Sequence, residues 1–310
     1  MIISASRRTD IPAYYSDWLL NRLTAGTVLV PNPRSTKRLS RVLLSPEVVD
    51  AIVFWTKNPA PMLDKLALIE AMDYPFYFQF TLTPYGKDVE PNLPPKEELI
   101  KTFQKLSQQL GPQRVQWRYD PIFVDDTHSI SWHEEQFARL CRALSGYTRR
   151  CTISFLDEYR GMKNAFYAPS LQEVHALAES FSAIAKAHNL PLFTCAEAYD
   201  LQAYGIQHGA CIDKAAIEAI TGTTITTRPD KNQRPACACA ASVDIGVYDT
   251  CANGCRYCYA TWSHSRIEQH VARHNPQAPA LTGWPAEDAV ITNKPQKSDK
   301  IWQQSLFTGE

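Results

Sequence analysis

Five of the nine cysteines in this chain fall between positions 237 and 258. Three of them, Cys251, Cys255 and Cys258, stand in CANGCRYC, a C-x3-C-x2-C run with Tyr257 directly before the third thiol. Three thiolates on one loop can hold three corners of an iron-sulfur cube. This loop has no fourth cysteine, so a fourth iron could stay open to a small molecule. Soft sulfur ligands select iron-sulfur centres or zinc over hard cations. Structural zinc usually uses paired C-x2-C runs, which this spacing matches poorly, but a zinc site completed by Cys237 or Cys239 stays open as an alternative. A second set of thiols joins the C-x-C pair Cys237 and Cys239 to Cys195 and Cys211 upstream, and could bind a second iron-sulfur cluster or a zinc ion. Exposed adjacent thiols are reactive unless ligated. Cys141 and Cys151 lie in helix-like and strand-like contexts and read as core.

These loops need a scaffold. Short β-branched or aromatic runs recur at Ile2 to Ser6, Ala51 to Lys57, Pro75 to Thr83, Val115 to Phe123, Cys151 to Asp157, Leu192 to Glu197 and Val243 to Tyr248, and predict seven strands. Between most of them lie helix-compatible stretches: Tyr15 to Thr24, Pro61 to Met72, Lys96 to Leu110, Trp132 to Leu144 and Leu171 to His188. Such alternation predicts a parallel sheet. FYFQFTLT and VQWRYDP carry polar residues at alternate positions, whereas strands buried between two helix layers read as nearly continuous apolar runs. We therefore expect an α/β fold, a full or partial (β/α) barrel of TIM type over residues 1–274, with the cysteine loop at 251–258. Residues 275–310 read as a polar tail packed on the barrel or extending from it, with Trp302 and Phe307 as anchors.

Barrel enzymes place their sites at the C-terminal ends of the strands. Arg7, Arg8 and Asp10 follow the first strand, Lys57 and Asn58 follow FWT, Arg118 and Asp120 lie in WRYDP, Asp157 and Glu158 follow ISFL, and Glu197 follows TCA. Trp55, Lys57, Gln79, Arg118, Asp120 and Glu197 are the expected substrate-binding residues. Guanidinium groups suit carboxylates and phosphates, so a small anionic molecule or cofactor carboxylate fits this rim. His128, His133, His175 and His188 show no metal-ligand spacing and read as structural.

Composition narrows the classes. The 32 basic and 32 acidic residues cancel, which removes the usual electrostatic signature of a nucleic-acid or membrane-surface protein. A hydrophobic content of 45% and a mean hydropathy of -0.30 allow a large core and fit an ordinary globular chain. No apolar run reaches the ~20 residues needed to span a bilayer, and the N-terminus lacks a signal-peptide core, so a cytoplasmic location is expected. P-loop, nucleophile-elbow and dinucleotide fingerprints are missing.

The loop resembles the cluster motif of radical S-adenosylmethionine enzymes, with Cys251, Cys255 and Cys258 on the ligand positions and Tyr257 on the aromatic one. Nearly the whole chain also resembles a family of uncharacterised proteins with SASRRTDIP, FWTKNP and DIG-x-Y-x-x-C runs. The first resemblance implies a 4Fe-4S cluster and S-adenosylmethionine, cleaved to a 5'-deoxyadenosyl radical that abstracts hydrogen from a small-molecule substrate. It also implies a reductase partner such as flavodoxin or ferredoxin. In those enzymes the motif follows the first barrel strand, whereas here it follows the last, so the resemblance implies a circularly permuted strand order with Val243 to Tyr248 beside Ile2 to Ser6. The usual Gly-Gly-Glu run is missing, and its role passes to Ser4, Ser6, Arg7, Arg8 or backbone groups. Two other classes remain: a zinc-stapled barrel with a ligand-binding or hydrolytic role, and an iron-sulfur electron-transfer protein.

Overall fold

The structure, a computed structural model, describes residues 1–157 and 166–301; Glu158, Trp302 and Phe307 lie outside them. In chain order the elements are β1 (Ile2–Ala5), α1 (Ile11–Tyr14), α2 (Ser16–Thr24), β2 (Thr27–Asn32), β3 (Ser35–Leu43), β4 (Ala51–Thr56), α3 (Leu66–Ala71), β5 (Phe76–Thr81), α4 (Lys96–Leu110), β6 (Val115–Ile122), α5 (Ile130–Leu144), β7 (Cys151–Phe155), α6 (Leu171–Ala187), β8 (Leu192–Cys195), β9 (Gln207–Gly209), α7 (Lys214–Thr221), β10 (Ser242–Asp244), α8 (His264–Arg273) and β11 (Val290–Asn293).

All seven expected strands form one parallel sheet, in the order β10-β1-β4-β5-β6-β7-β8-β9. The eighth strand, β9, is only Gln-His-Gly, too short and too polar to signal itself in the sequence. β9 and β10 are the two edges and do not pair with each other, an arrangement compatible with a partial barrel.

Alternation along the strands sorts the two faces. Phe76, Phe78 and Phe80 of β5 and Trp117 and Tyr119 of β6 join the main core, together with Phe103 of α4, Phe137 of α5 and Phe181 of α6. The alternate residues face the other way. There Ile2, Ala51, Val53 and Tyr77 share a smaller apolar cluster with Ile217 of α7 and with Ile212 and Ile225. We call this the inner face; α7 plugs one part of it and the polar residues occupy the rest.

Helix ends follow local chemistry. α4 buries Leu99, Ile100, Phe103, Leu106 and Leu110 at helical spacing, with Glu97 and Glu98 in its first turn, and Gly111 at φ +86° ends it. α6 starts in a capping box formed by Ser170 and Glu173. His133 is buried and bonds Tyr119 Oη at 2.9 Å and the Phe123 carbonyl at 2.8 Å, the structural role expected of it.

The C-terminal segment is more integrated than a tail. β11 pairs with β3, which pairs with β2, in a second sheet that the sequence pattern did not mark. The Trp18 indole donates to the Ala278 carbonyl at 3.0 Å, and buried Asp50 accepts from Ser298 Oγ at 2.6 Å and Asp299 N at 2.8 Å. Each partner is more than 200 residues away in sequence, so no local pattern could announce it. No described helix is long and apolar enough to cross a membrane.

Candidate functional site

The centre of the site is a buckle between the first strand and the last. Asp244 ends β10, and its carboxylate accepts from Ser4 Oγ at 2.8 Å, Ser6 Oγ at 2.6 Å, Arg7 N at 2.9 Å and Gly246 N at 3.0 Å. These four donors turn the chain out of β10 after three residues, where the apolar run VDIGVY predicted a longer strand. The hydroxyl protons of Ser4 and Ser6 are thereby used within the chain, and both residues are buried. Arg7 and Arg8 remain at the rim. Arg7 reaches Ser242 Oγ at 3.2 Å and Asp230 at 3.5 Å, while Arg8 reaches the Gly246 carbonyl at 3.3 Å and lies over the Tyr248 ring.

Beyond Gly246 the chain runs into the cysteine loop, which is pinned from three directions. Tyr15 Oη donates to the Thr250 carbonyl at 2.6 Å and Tyr14 Oη to Asn253 Oδ1 at 2.8 Å. Asn253 Nδ2 donates to Asp10 at 3.2 Å, the same carboxylate that caps α1 and accepts from Lys57 N at 2.7 Å. Asn92 Nδ2 donates to the Ala252 carbonyl at 2.8 Å, and Arg256 N to the Val89 carbonyl at 3.0 Å. Gly254 has φ +71°, and a Cβ there would lie 2.9 Å from Asn92 Nδ2, so only glycine suits this turn.

Cys251, Cys255 and Cys258 are half-buried at the C-terminal end of β10. Burial pushes Cys255 up to about 12, with Lys57 opposing it, and raises Cys251 well above the ordinary thiol value. Cys251 is within electrostatic reach of Cys255 and Cys258, and Cys255 of Cys258. They are not a group whose sulfurs all lie within 4.8 Å of one another. A single tetrahedral ion with metal-sulfur bonds of ~2.3 Å needs sulfurs about 3.8 Å apart. A cube places each thiolate on a different iron and spreads them wider, so this donor set fits a cluster better than one ion.

Beneath the loop lies a buried charge hub that sequence reasoning missed. Glu90 is fully buried and accepts from Lys57 Nζ at 2.8 Å, from Thr83 Oγ1 at 2.9 Å, from Lys96 Nζ and from Tyr257 Oη. Burial alone would raise its pKa, but Lys57 and Lys96 outweigh that and hold the carboxyl at about 2. The aromatic of the motif, Tyr257, is thus anchored through its hydroxyl, with Lys57 5.5 Å over its ring. Glu90 sits in GKDVEPN, a polar loop sequence that gives no sign of burial.

The inner face continues from this hub. Two guanidinium groups lie near the Trp55 ring, Arg7 at 5.6 Å and Arg118 at 5.2 Å, and its buried indole nitrogen has no partner among the described residues. Arg118 pairs with Asp120 and also donates to the sulfur of Cys211. Gln79 is fully buried, its amide donating to Gln116 Oε1 and to the Cys211 carbonyl, both at 2.7 Å, so it braces the interior and offers no donor to open space. Glu197 accepts from Ser154 Oγ at 2.6 Å and Phe155 N at 3.0 Å, and burial pushes it up to about 7. Asp157 pairs with Arg234 at the surface.

The raised Glu197 pKa carries a stability prediction. The folded chain binds a proton at Glu197 that the unfolded chain releases above pH 4.5, so its stabilisation is complete below that value and is lost as pH rises through 7. Glu197→Gln keeps an oxygen for both donors and carries no charge. We expect it to match the wild type near pH 4.5 and to exceed it at pH 8.5 by up to about 3 kcal/mol in urea denaturation. Equal stability at both pH values would show that Glu197 ionises freely.

The second thiol set also converges: the sulfurs of Cys195, Cys211 and Cys239 all lie within 4.8 Å of one another, a grouping able to hold a metal ion. Cys237 adjoins Cys195 and Cys239. Cys141 and Cys151 are fully buried core thiols.

A search of curated proteins finds no match. Among solved structures, a "putative alpha-L-fucosidase" from Bacteroides thetaiotaomicron is similar over 51% of this chain and 68% of its own, at 13% identity and a TM-score of 0.27. A similarity that low transfers nothing to this chain. A family model described as a domain of unknown function (DUF1848) matches residues 2–260. That match takes in all eight strands of the large sheet, the buried hub and the three thiols of the loop, and the chain therefore belongs to the DUF1848 family.

Proposed function

We propose that this protein is a radical S-adenosylmethionine enzyme acting on a small molecule held against the inner face of the sheet. The observation that carries the reading is the position of Cys251, Cys255 and Cys258: one loop at the C-terminal end of β10, with β10 paired in parallel to β1. The sheet order starts at β10, so the strand before the thiols comes first in space although it comes last in sequence. A circular permutation of the radical-enzyme order would place it there.

In this reading the three thiolates hold a 4Fe-4S cluster, which with S-adenosylmethionine supplies an electron and a carbon radical for hydrogen abstraction. The chain supplies the surroundings. Lys57 places a buried positive charge beside Cys255, which favours thiolate there. Asn253, Asp10, Tyr14, Tyr15 and Asn92 hold the loop still. Arg7 and Arg8 offer guanidinium groups at the rim for a carboxylate. Trp55, with the Arg7 and Arg118 guanidinium groups near its ring, offers an aromatic surface beside positive charge, suited to an anionic substrate with an unsaturated or aromatic part. Glu197, with a pKa near neutrality, can hold or release a proton at a bound substrate.

The test is anaerobic reconstitution followed by dithionite and S-adenosylmethionine, with 5'-deoxyadenosine measured against a Cys255→Ala control. Product that depends on Cys255 is the expected result. A loop loaded with about four irons that yields no product above the control would turn the reading to an electron-transfer centre. A colourless loop that binds zinc would turn it to a metal-stapled barrel without radical chemistry.

A further inference from the structure

The second thiol set stands at the one place where the large sheet is not stitched. Cys195 ends β8, Cys211 lies two residues past β9, and Cys237 and Cys239 lie on the segment leading into β10. β9 and β10 share no ladder. Across this seam the described chain offers a few contacts: His208 Nε2 with the Ala236 carbonyl at 2.7 Å, and Ala240 N donating to the Ile212 carbonyl at 2.9 Å.

We propose that Cys195, Cys211, Cys237 and Cys239 form a closed site for a single zinc or iron ion, which joins the two sheet edges in place of the missing strand pairing. Three sulfurs within 4.8 Å of one another match one tetrahedral ion, whose thiolates sit about 3.8 Å apart, and are too close together for a cube. Cys237 packs against the same buried cluster that holds Cys195, Cys211 and Cys239, which brings the fourth thiol into the same group.

The surroundings suit thiolates. A thiol sulfur is a weak acceptor, yet the backbone N–H groups of Cys211 and Ile212 both donate to Cys239 Sγ, at 3.3 and 3.4 Å, and the Arg118 guanidinium donates to Cys211 Sγ. Four thiolates around a divalent ion leave two negative charges, and two cations face them: Arg118 on Cys211, and Arg7, whose charge acts on Cys239. Cys195, Cys211 and Cys239 are buried, and four protein ligands leave no open position, so the ion is structural. It also holds Arg118 over Trp55, which ties the seam to the inner face.

The inference does not depend on the loop cluster, and the experiment separates the two. The full chain carrying Cys255→Ala, which disables the loop centre, is purified and its metal and acid-labile sulfide are measured. We expect about one zinc or iron per chain without sulfide, elemental analysis telling which, and loss of that equivalent on adding Cys211→Ser. Cys237→Ser, at the least buried of the four thiols, supplies a variant better able to fold and should weaken retention against a chelator. A second measurement needs no new substitution: a mercurial thiol reagent should release the ion, detected by a metallochromic dye, as about four thiols react together. A folded Cys255→Ala chain without metal, whose four thiols alkylate independently, would overturn the proposal. About four irons with matching sulfide at this site would also overturn it.

Discussion

Glu90→Gln is expected to destabilise the chain by about 3–5 kcal/mol at pH 7, the range for breaking a buried ion pair by removing one partner. The substitution is nearly isosteric, so packing stays close to native while the charge goes. Two ammonium groups, Lys57 and Lys96, are then left largely buried with their shared anion gone. The pH dependence gives the prediction a signature. Glu90 is held at about 2 in the folded chain against 4.5 ordinarily, so its contribution is complete above pH 4.5 and is lost as pH falls toward 2. Urea midpoints of the two chains should differ by a constant amount from pH 6 to 8 and converge below pH 4.5. Adding Lys57→Met to the variant removes one of the stranded charges and should recover part of the loss. A deficit under ~1 kcal/mol at pH 7 would mean that water reaches the hub and screens it. Because Glu90 also anchors Tyr257, the proposed cluster should lose occupancy in the variant along with stability.

The second large effect is expected at Gly246. A Cβ there would fall 2.0 Å from Ser6 Oγ and 2.5 Å from Ser6 Cβ, far inside contact distance. Ser6 cannot step aside, because its hydroxyl is held by Asp244 and in turn accepts from Arg8 N at 2.9 Å. Gly246→Ala must therefore push the end of β1 away from β10 and loosen the Asp244 buckle. Overpacking of a rigid site ordinarily costs about 1–3 kcal/mol, and here the upper end or more is expected. Ser6→Gly in the same chain removes both clashing atoms and should restore much of the loss, although it gives up the Asp244 bond. If Gly246→Ala melts within a degree or two of the wild type, the two chain ends are not in close contact. Either substitution acts at a distance from the thiols, so a matching fall in iron content would show that the buckle positions the loop.

Local periodicity was enough to read the large sheet. Phe76, Phe78 and Phe80 alternate with Tyr77, Gln79 and Thr81, and that period of two separates a helix-covered face from an inner face without further information. Helices α4 and α6 were equally legible, since they carry helical spacing and local caps, whereas α1 and α7 were not among the expected helices. β9 was not, because three polar residues at an edge gain their pairing only from β8. The second sheet escaped notice for a related reason: β11 pairs with β3 across some 250 residues of chain, and neither strand advertises its partner.

The site divides along the same line. The sequence by itself determined which residues can do chemistry: the three thiols and aromatic of CANGCRYC, the second thiol set, and the polar positions on the inner face. Only the tertiary structure decided that Ser4 and Ser6 serve Asp244, that Gln79 braces the interior, and that Glu90 is the buried anion under the loop. It also decided that three thiols spread from position 195 to position 239, those of Cys195, Cys211 and Cys239, meet at the open seam. The physical reason is range. Residue type and spacing encode contacts within a turn or a strand, whereas the partner of a buried charge or a free thiol is chosen by how the chain closes, and closure is a property of all the strands together.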